Sequence, residues 1–278
     1  MRIYLCGVRG SSPSPGPEFA ITGGHTSCLA LAHDGEQPRL ILDAGTGLRV
    51  VSEVLRQQPF RGAIVLSHLH WDHVMGLPFF ASGDHPDSDV RLLVPEQGGE
   101  AETLLGRIMS PPTFPITPSQ LRGRWRFETY DSAQLEIEGF EVLAREIPHT
   151  GGRTMGLRVS DATGSIAYLP DHAPHQLGPG EHGVGVLHPA ALDLARDVDV
   201  LVHDAQYTRQ ELPARSTWGH AAADYPVELA EQGGARRVVL FHHDPFRTDA
   251  DLAQIHTDVA ATTNLPVDLA VQGSVIEL

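Results

Sequence analysis

The sequence predicts a single α/β domain over residues 1–278, in which two mixed β-sheets pack face to face with helices on their outer faces. Short apolar runs recur along the whole chain, as expected for buried strands. Segments with the spacing of amphipathic helices lie between several of these runs, so strands and helices occur in both halves. Hydrophobic residues make up 41% and charged residues 20% of the chain, a composition that supports a sizeable core.

The bounds of the predicted strands and helices follow from the periodicity of apolar residues along the chain. The predicted strands are Ile3–Cys6, Cys28–Ala32, Leu40–Leu42, Ala63–Leu66, Val90–Val94, Glu141–Ile147, Gly156–Val159, Ser165–Leu169, Val198–Val202, Val238–Phe241, Val267–Val271 and Val275–Leu278. The predicted helices are Gly47–Gln57, Gly99–Met109, Ala221–Gln232 and Asp249–Thr262. Gly233 and Gly234 end the third helix, because glycine adopts the left-handed conformation that closes a helix. The Pro-rich stretch Ser110–Ser119 is predicted to be a rigid surface loop.

Charge and cysteine content exclude several classes of protein. The 35 acidic residues outnumber the 20 basic ones, all of which are arginine, and the formal net charge is -15. Such an acidic body disfavours non-specific binding to nucleic acid or anionic lipid, which needs clustered positive charge. Cys6 and Cys28 lie in apolar runs, so we expect buried, reduced thiols. No apolar run is long enough for a membrane span and the chain opens on a predicted strand, so a cytoplasmic protein is expected.

The 16 histidines are a high count for one chain, and several of them follow one predicted strand. The apolar strand that begins at Ala63 leads into the segment HLHWDH at residues 68–73. In extended geometry His68 and His70 point to the same side, and a turn then brings Asp72 and His73 round. Imidazole and carboxylate groups gathered at a rigid strand end predict the start of a two-metal site.

The HLHWDH segment resembles the HxHxDH signature of the metallo-β-lactamase superfamily, whose fold is a four-layer αββα sandwich of two mixed sheets with helices outside. Further matches follow in the order that the family shows. They are Leu42–Gly47, Pro148-His149-Thr150, Pro170-Asp171-His172, His203-Asp204-Ala205, Trp218-Gly219-His220 and His242. The resemblance extends from about Gly7 to Pro245 and is strongest to the ribonuclease Z and phosphodiesterase branch. The features that indicate this branch are Val8–Ser11, Gly23–Ser27 and the pair Asp204 and His220.

This resemblance implies a site for two divalent metal ions. The expected ligands are His68, His70 and His149 for one metal, Asp72, His73 and His242 for the second, and Asp171 as the bridge between them. Imidazole with carboxylate suits zinc, with manganese or iron as alternatives. A di-iron redox version of the fold is expected to carry Glu at the position of His70, so His70 favours hydrolysis over electron transfer.

The resemblance also implies a metal-dependent hydrolase, with a phosphodiesterase acting on small phosphodiesters such as cyclic nucleotides as the favoured activity. In the implied mechanism a hydroxide that bridges the metals attacks phosphorus and Asp72 orients it. His220, held by Asp204, protonates the leaving oxygen as a general acid. Asp204 stands where the ribonuclease Z pattern has Glu. The alternatives are a hydrolase of a thioester, lactone or lactam, a tRNA 3′-processing endoribonuclease, and a metal-binding sensor or carrier that has kept the fold.

Substrate size separates the favoured small phosphodiesterase from the tRNA 3′-processing endoribonuclease. Ribonuclease Z enzymes typically carry a protruding, basic, Gly-rich arm that grips tRNA, and nothing between His73 and His149 is long and basic enough to form one. The net charge of -15 also opposes a large RNA-binding surface. We therefore expect a small phosphodiester as substrate and neither a large nucleic acid nor a membrane as partner. A homodimer is left open.

Several residues near the motifs keep more than one interpretation. Asp43 either orients a ligand imidazole or forms a turn or helix cap. His172 either supports the site, contacts the substrate or is solvated, and His25 is a weaker candidate for a supporting role. Of the adjacent His242 and His243, the match to the family favours His242 as the ligand.

Two further sets of residues are predicted to lie outside the site. Arg122, Arg124 and Arg126 alternate with Trp125 and Phe127, and the favoured interpretation is a strand with exposed arginines rather than a contact with a nucleotide. The remaining histidines are expected at the surface: His33, His85, His175, His182, His188, His203 and His256.

Overall fold

A computed structural model describes all 278 residues of the chain and contains two seven-stranded β-sheets. The strands are β1 (Arg2–Gly7), β2 (Cys28–Ala32), β3 (Leu40–Leu42), β4 (Arg61–Val65), β5 (Asp89–Pro95), β6 (Arg124–Tyr130), β7 (Gln134–Ile137), β8 (Phe140–Ile147), β9 (Thr154–Ser160), β10 (Ser165–Leu169), β11 (Val200–Asp204), β12 (Val238–Phe241), β13 (Val267–Leu269) and β14 (Val275–Glu277). The α-helices are α1 (Leu48–Val54), α2 (Trp71–Val74), α3 (Ala101–Gly106), α4 (Pro189–Ala195), α5 (Leu212–Arg215), α6 (Tyr225–Gly233) and α7 (Asp249–Ala260). Short 3-10 helices cover Pro17–Phe19, Leu77–Phe79, Pro118–Gln120 and Pro174–Leu177.

Both sheets are mixed, as the sequence predicts. The strand order is β14-β1-β2-β3-β4-β5-β6 in the first sheet and β13-β12-β11-β10-β9-β8-β7 in the second. Strands β3 to β6 run parallel to one another, and so do β10 to β13. In each sheet the carboxyl ends of the parallel strands therefore lie at one edge, which is where open α/β sheets form ligand sites.

The alternation of side chains along the strands creates the layers. In β3, Leu40 and Leu42 point into a core of 27 buried residues between the sheets. Ile41 points the other way, into a cluster of 20 buried residues beneath α1 and α3. A third cluster of 24 buried residues lies between the second sheet and helices α4 and α6. Two sheets covered by helices on both outer faces confirm the predicted αββα architecture.

The two ends of the chain belong to the same sheet. Strand β14 pairs antiparallel with β1, and the amide of Leu278 donates a hydrogen bond to the carbonyl of Met1 at 3.0 Å. A single domain over residues 1–278 stays a prediction. None of the helices combines the length and the apolar character that a membrane crossing requires.

The predicted strands and helices are present, whereas β7 and α4 are elements that the sequence did not predict. The strands that match their predicted bounds are Cys28–Ala32, Leu40–Leu42, Ser165–Leu169 and Val238–Phe241. Gly234 ends α6 in the left-handed conformation, with φ of 76°. Strand β7 was not predicted because it is a short edge strand with exposed polar residues. Helix α4 was not predicted because it is short and directly follows a Gly- and Pro-rich loop. Cys6 and Cys28 are buried and unpaired, as predicted.

Candidate active site

The residues predicted to bind metal lie at the carboxyl edge of both sheets. Strand β4 is buried between β3 and β5, and the HLHWDH segment leads from it into α2. In the second sheet, His149 follows β8, Asp171 follows β10 and His242 follows β12. The structure brings the two sets together in two overlapping clusters.

The first cluster comprises His68, His70, His149 and Asp171, whose ligand atoms all lie within 4.8 Å of one another. Nδ1 of His70 lies 3.1 Å from Nε2 of His149. Oδ2 of Asp171 lies 3.6 Å from Nε2 of His68 and 3.4 Å from Nε2 of His149. Metal–ligand bonds of about 2.0 to 2.2 Å separate tetrahedral ligand atoms by roughly 3.3 Å, so these spacings suit one cation.

The second cluster comprises Asp72, His73, Asp171 and His242. Nε2 of His242 lies 3.1 Å from Oδ2 of Asp72 and 3.1 Å from Oδ1 of Asp171. Nε2 of His73 lies 3.0 Å from the same Oδ1 of Asp171. Asp171 thus turns Oδ1 toward this cluster and Oδ2 toward the first, which is the arrangement of a carboxylate that bridges two cations.

Hydrogen bonds hold three of the imidazoles with Nε2 directed into the clusters. Nδ1 of His73 donates to Oδ2 of Asp43 at 2.8 Å. Nδ1 of His149 donates to the carbonyl of Gly219 at 2.6 Å, and Nδ1 of His242 donates to Oε1 of Gln206 at 2.9 Å. Each ring is therefore fixed through Nδ1, and outer contacts of this kind orient metal-binding histidines.

Asp43 is the most connected of these supporting groups. Its Oδ1 accepts the amide of Ser67 at 2.6 Å, and its Oδ2 accepts the hydroxyls of Ser67 and Tyr168 at 2.9 and 2.8 Å. The hydroxyl of Ser67 lies 3.0 Å from Nδ1 of His68. Asp43 has a φ of 61°, an uncommon conformation outside glycine that clusters at functional sites. Of the two predicted roles for Asp43, the structure favours the orientation of a histidine.

Buried polar atoms in the clusters lack partners among the protein groups. Nε2 of His68 and Oδ1 of Asp171 are buried and accept or donate no hydrogen bond. Nε2 of His73 and Nε2 of His242 lie 3.3 Å apart within the second cluster. Buried polar groups are normally satisfied, because leaving them unpaired costs free energy. Divalent cations satisfy these atoms together, so the donor set fits a pair of metal ions.

Electrostatics also favour positive charge between the clusters. Burial lowers the pKa of His68 well below its usual value and that of His149 to about 4, so both rings are neutral. Burial opposes charge on His73 too, but Asp171 and the neighbouring carboxylates raise its pKa well above the usual value. His68 and His149 are thus in the neutral form in which histidine binds metals, and the carboxylates around His73 favour positive charge at the second cluster.

His220 lies beside the clusters and is held by Asp204. Nδ1 of His220 lies 3.0 Å from Oδ2 of Asp204, and its ring stacks on that of His242 with centroids 5.0 Å apart. Asp204 is fully buried and also accepts the amides of Gln206 and Ala221 at 3.0 and 3.2 Å. Burial opposes charge on His220, but Asp204, followed by further carboxylates, raises its pKa to about 9. His220 therefore keeps a proton at neutral pH.

An open cleft gives access to these groups. Its volume is about 390 Å³. Its lining residues are Ser11, Leu69, His70, Trp71, Asp72, Asp171 and His220. The amide of Ser11 donates to Oδ2 of Asp72 at 2.7 Å and so fixes that carboxylate at the floor of the cleft. Asp171 and His220 thus face the same space.

His172 and His203 lie behind the site rather than in the cleft. The amide of His172 donates to Oδ2 of Asp204 at 3.1 Å, and Nδ1 of His172 lies 2.9 Å from Nε2 of His203. His203 was predicted at the surface, and this is wrong, because it is a fully buried residue of the central strand β11. Its Nδ1 donates to the carbonyl of Asp204 at 2.7 Å. Apart from His203, none of the histidines predicted at the surface is fully buried.

The structure also separates the remaining candidates from the clusters. His243 turns away from His242, and its Nε2 donates to the carbonyl of Ala270 at 3.0 Å. His25 contacts Thr46, with Nδ1 lying 3.1 Å from the hydroxyl oxygen. Neither histidine therefore joins the two clusters.

The arginines of β6 form ion pairs with nearby carboxylates. Arg124 and Arg126 both pair with Asp89, and Arg122, which precedes the strand, pairs with Asp84 at 2.7 Å. This is the strand with exposed arginines that the sequence favoured.

Sequence reasoning missed Ser67, Gln206 and Tyr168 as supports of the site. Ser67 adjoins His68 and Gln206 follows Asp204 by two residues, so their positions beside the motifs were a usable signal. Tyr168 lies within the buried strand β10 and reaches Asp43 from the opposite sheet. A contact between such distant residues leaves no pattern in a single sequence.

Comparisons with known proteins agree with the fold and the motifs. The model of the beta-lactamase superfamily domain matches residues 38–243. The chain is 24% identical over 277 residues to a ribonuclease Z of Haloferax volcanii, covering 87% of this chain and 84% of that protein. It is 26% identical over 261 residues to a ribonuclease Z of Salinibacter ruber, covering 78% of this chain and 79% of that protein.

Solved structures share the same architecture at low sequence identity. The metallo-β-lactamase fold protein YhfI from Bacillus subtilis has a TM-score of 0.73 at 13% identity over 99% of both chains. A diphosphatase of the PhnP family has a TM-score of 0.70 at 18% identity, covering 100% of this chain and 97% of that one. The short form of human tRNase Z has a TM-score of 0.67 at 20% identity, covering 100% and 99%. The curated relatives that it resembles are named ribonuclease Z, and the chain itself belongs to the metallo-β-lactamase superfamily.

Proposed function

We propose that this hydrolase is a phosphodiesterase that depends on two divalent metal ions and cleaves small phosphodiesters such as cyclic nucleotides. The observation that carries the proposal is the pair of His220 and Asp204 beside two clusters that share Asp171. An alkoxide leaving from phosphorus needs a proton, and a buried histidine held by a carboxylate is suited to supply it.

The metal ions would be held by the residues of the two clusters. His68, His70 and His149 would hold one ion, and Asp72, His73 and His242 would hold the other. When bound, two such ions lower the pKa of a water molecule and neutralise charge on the phosphoryl oxygens. The mixture of imidazole and carboxylate favours zinc, with manganese or iron as alternatives.

Side chains of the protein would transfer the proton and orient the attacking water. Nδ1 of His220 is engaged with Asp204, so Nε2 is the nitrogen that donates a proton to the leaving oxygen. Asp204 keeps the ring in this orientation and stabilises its positive charge. Asp72 lies on the same cleft, and we assign it the orientation of the attacking water.

The surface favours a small substrate over a tRNA precursor, although the curated relatives are named ribonuclease Z. The net charge is -15, and a large RNA partner requires many free cationic contacts. The arginines in and beside β6 are already engaged in ion pairs with Asp84 and Asp89. These features support a substrate that is bound at the metal site rather than across a basic surface.

A substrate panel tests the proposal against its competitors. The purified protein, with its metal content measured, is assayed on bis-p-nitrophenyl phosphate, cyclic nucleotides, a tRNA precursor, a thioester, a lactone and a β-lactam. The proposal predicts metal-dependent cleavage of the small phosphodiesters. Cleavage of the thioester, lactone or lactam with the phosphodiesters left intact would show that the assigned reaction is wrong. Preference for the tRNA precursor would overturn the assigned substrate size.

A further inference from the structure

A second cavity of about 490 Å³ adjoins the cleft of about 390 Å³ beside the two clusters, the metal cleft. Nine of its 12 lining residues are hydrophobic, including Met75, Phe79, Ile108 and Phe114. Trp71 lines both this cavity and the metal cleft, and it stands in the sequence between the predicted ligands His70 and Asp72. The apolar cavity therefore begins at the wall of the reaction site.

The aromatic groups of this cavity remain open to solvent. Trp71 is 70% exposed and Phe79 is 62% exposed. The rings of Phe79 and Phe114 meet edge to face with their centroids 5.9 Å apart, so they form a defined wall. A concave apolar surface with only a few polar groups is typical of a small-molecule site.

Arg107 supplies positive charge at the apolar cavity. It lines the apolar cavity and also the space next to His68 and His70. Arg153 lines that space too, but Asp131 and Glu146 neutralise it. Arg107 is exposed and has no carboxylate within ion-pair distance. Its free charge suits a substrate that is anionic next to an apolar group.

We propose that the apolar cavity binds an aromatic ester group of the substrate, while the phosphoryl group lies at the metal clusters and Arg107 attracts its negative charge. This inference rests on the proposed phosphodiesterase function and makes phosphodiesters with an aromatic ester group preferred substrates over cyclic nucleotides. The shared wall at Trp71 places the two parts of such a molecule in adjoining spaces.

Two substrates that share the same leaving group test the role of the apolar cavity. Methyl p-nitrophenyl phosphate and phenyl p-nitrophenyl phosphate both release p-nitrophenolate and differ in the retained ester. Burial of one phenyl ring is expected to raise kcat/KM by about tenfold for the phenyl ester. Phe79→Ala and Phe114→Ala should each reduce this ratio several-fold. The control Ile21→Ala removes a side chain that is 76% exposed and lies outside both cavities, and it should leave the ratio unchanged.

Binding of phosphonates provides a readout that does not depend on turnover. Phenylphosphonate and methylphosphonate contain P–C bonds that hydrolysis does not cleave, and calorimetry measures their dissociation constants on the metal-loaded protein. We expect tighter binding of phenylphosphonate, a loss of that preference in Phe79→Ala, and weaker binding of both anions in Arg107→Gln.

The two proposals fail in different ways. Equal kcat/KM for the methyl and phenyl esters, with equal binding of the two phosphonates, would overturn the role of the cavity and leave the phosphodiesterase standing. A protein that cleaves neither ester would instead overturn the reaction, whatever the phosphonates show.

Discussion

At the scale of single residues, Asp43 connects the two sheets to the metal clusters. It holds Nδ1 of His73, the amide and hydroxyl of Ser67, and the hydroxyl of Tyr168. Ser67 in turn contacts His68, so one carboxylate orients a histidine of each cluster. This makes Asp43 the position at which a small chemical change should affect both metals.

Asp43→Asn is therefore expected to weaken metal binding by about 10- to 100-fold. Asn has the same shape and tolerates the positive φ of this position, so the backbone should not change. Competition with a chromophoric chelator measures the affinity, and Tyr168→Phe is the matched control that removes one of the hydrogen bonds to Asp43. The control should have the smaller effect. Unchanged affinity in Asp43→Asn would contradict this supporting role.

His220 should separate catalysis from metal binding. His220→Ala is expected to keep both metals and to reduce turnover by about 10²- to 10⁴-fold, because the leaving oxygen loses its proton donor. The loss should be greatest for alkyl leaving groups and smallest for p-nitrophenolate, which leaves without a proton. Metal analysis and kinetics with both kinds of substrate check this, with His175→Ala as a control outside the cleft. A variant that loses metal would identify His220 as a ligand.

Local sequence patterns identify the candidate ligands more readily than the residues that orient them. His68, His70, Asp72 and His73 occur within six consecutive positions, so a local pattern identifies them. Tyr168 and Asp43 lie far apart in the chain, and only the packing of the two sheets brings them into contact. His203 was misplaced for the same reason, because burial between neighbouring strands is not visible in one residue type.

At the scale of elements, the parallel order of the strands determines where the site forms. Strand β4 of the first sheet and strands β10 and β12 of the second each run parallel to a neighbouring strand, and their carboxyl ends lead into the two clusters. This topology could not be read from the sequence alone. Apolar runs in the central strands predicted those elements because such strands are buried on both faces. Strand β7 and helix α4 lacked that signal, since one is a partly exposed edge strand and the other is a single short helix.

The loop before His220 offers a test of how backbone shape supports the first cluster. Gly219 has a φ of 95°, and a Cβ there would approach Thr150 Oγ1 to 2.6 Å and His149 Cε1 to 2.8 Å. Gly219→Ala should therefore displace His149 and weaken metal binding by at least about tenfold. Gly273→Ala is the matched control, because Gly273 has a φ of 84° with nothing within 4 Å of its Cβ position.

Both glycine variants place alanine at a positive φ, which costs about 1 to 3 kcal/mol, so both should lower thermal stability. Only Gly219→Ala should lose metal, as measured by chelator competition. Equal metal affinity in the two variants would show that the position of His149 does not depend on this contact.

At the scale of the whole molecule, the clusters lie where the two sheets meet. The HLHWDH segment comes from the first sheet, whereas His149, Asp171 and His242 come from the second. An acidic body with a net charge of -15 thus concentrates its buried carboxylates at this junction. Bound cations would offset that charge and cross-link the sheets, so metal binding and folding stability should be coupled.

Removal of the metals is accordingly expected to lower the melting temperature of the protein. A ligand present at about 1,000 times its Kd stabilises the folded state by about 4 kcal/mol, which corresponds to roughly 10 °C for a domain of this size. Calorimetric scans with and without a chelator measure the shift, and restoring zinc or manganese should reverse it. Asp171→Asn keeps the shape of the bridging residue but removes its charge, so chelation should shift its melting temperature much less. An equal shift in both proteins would show that stabilisation does not pass through this bridge.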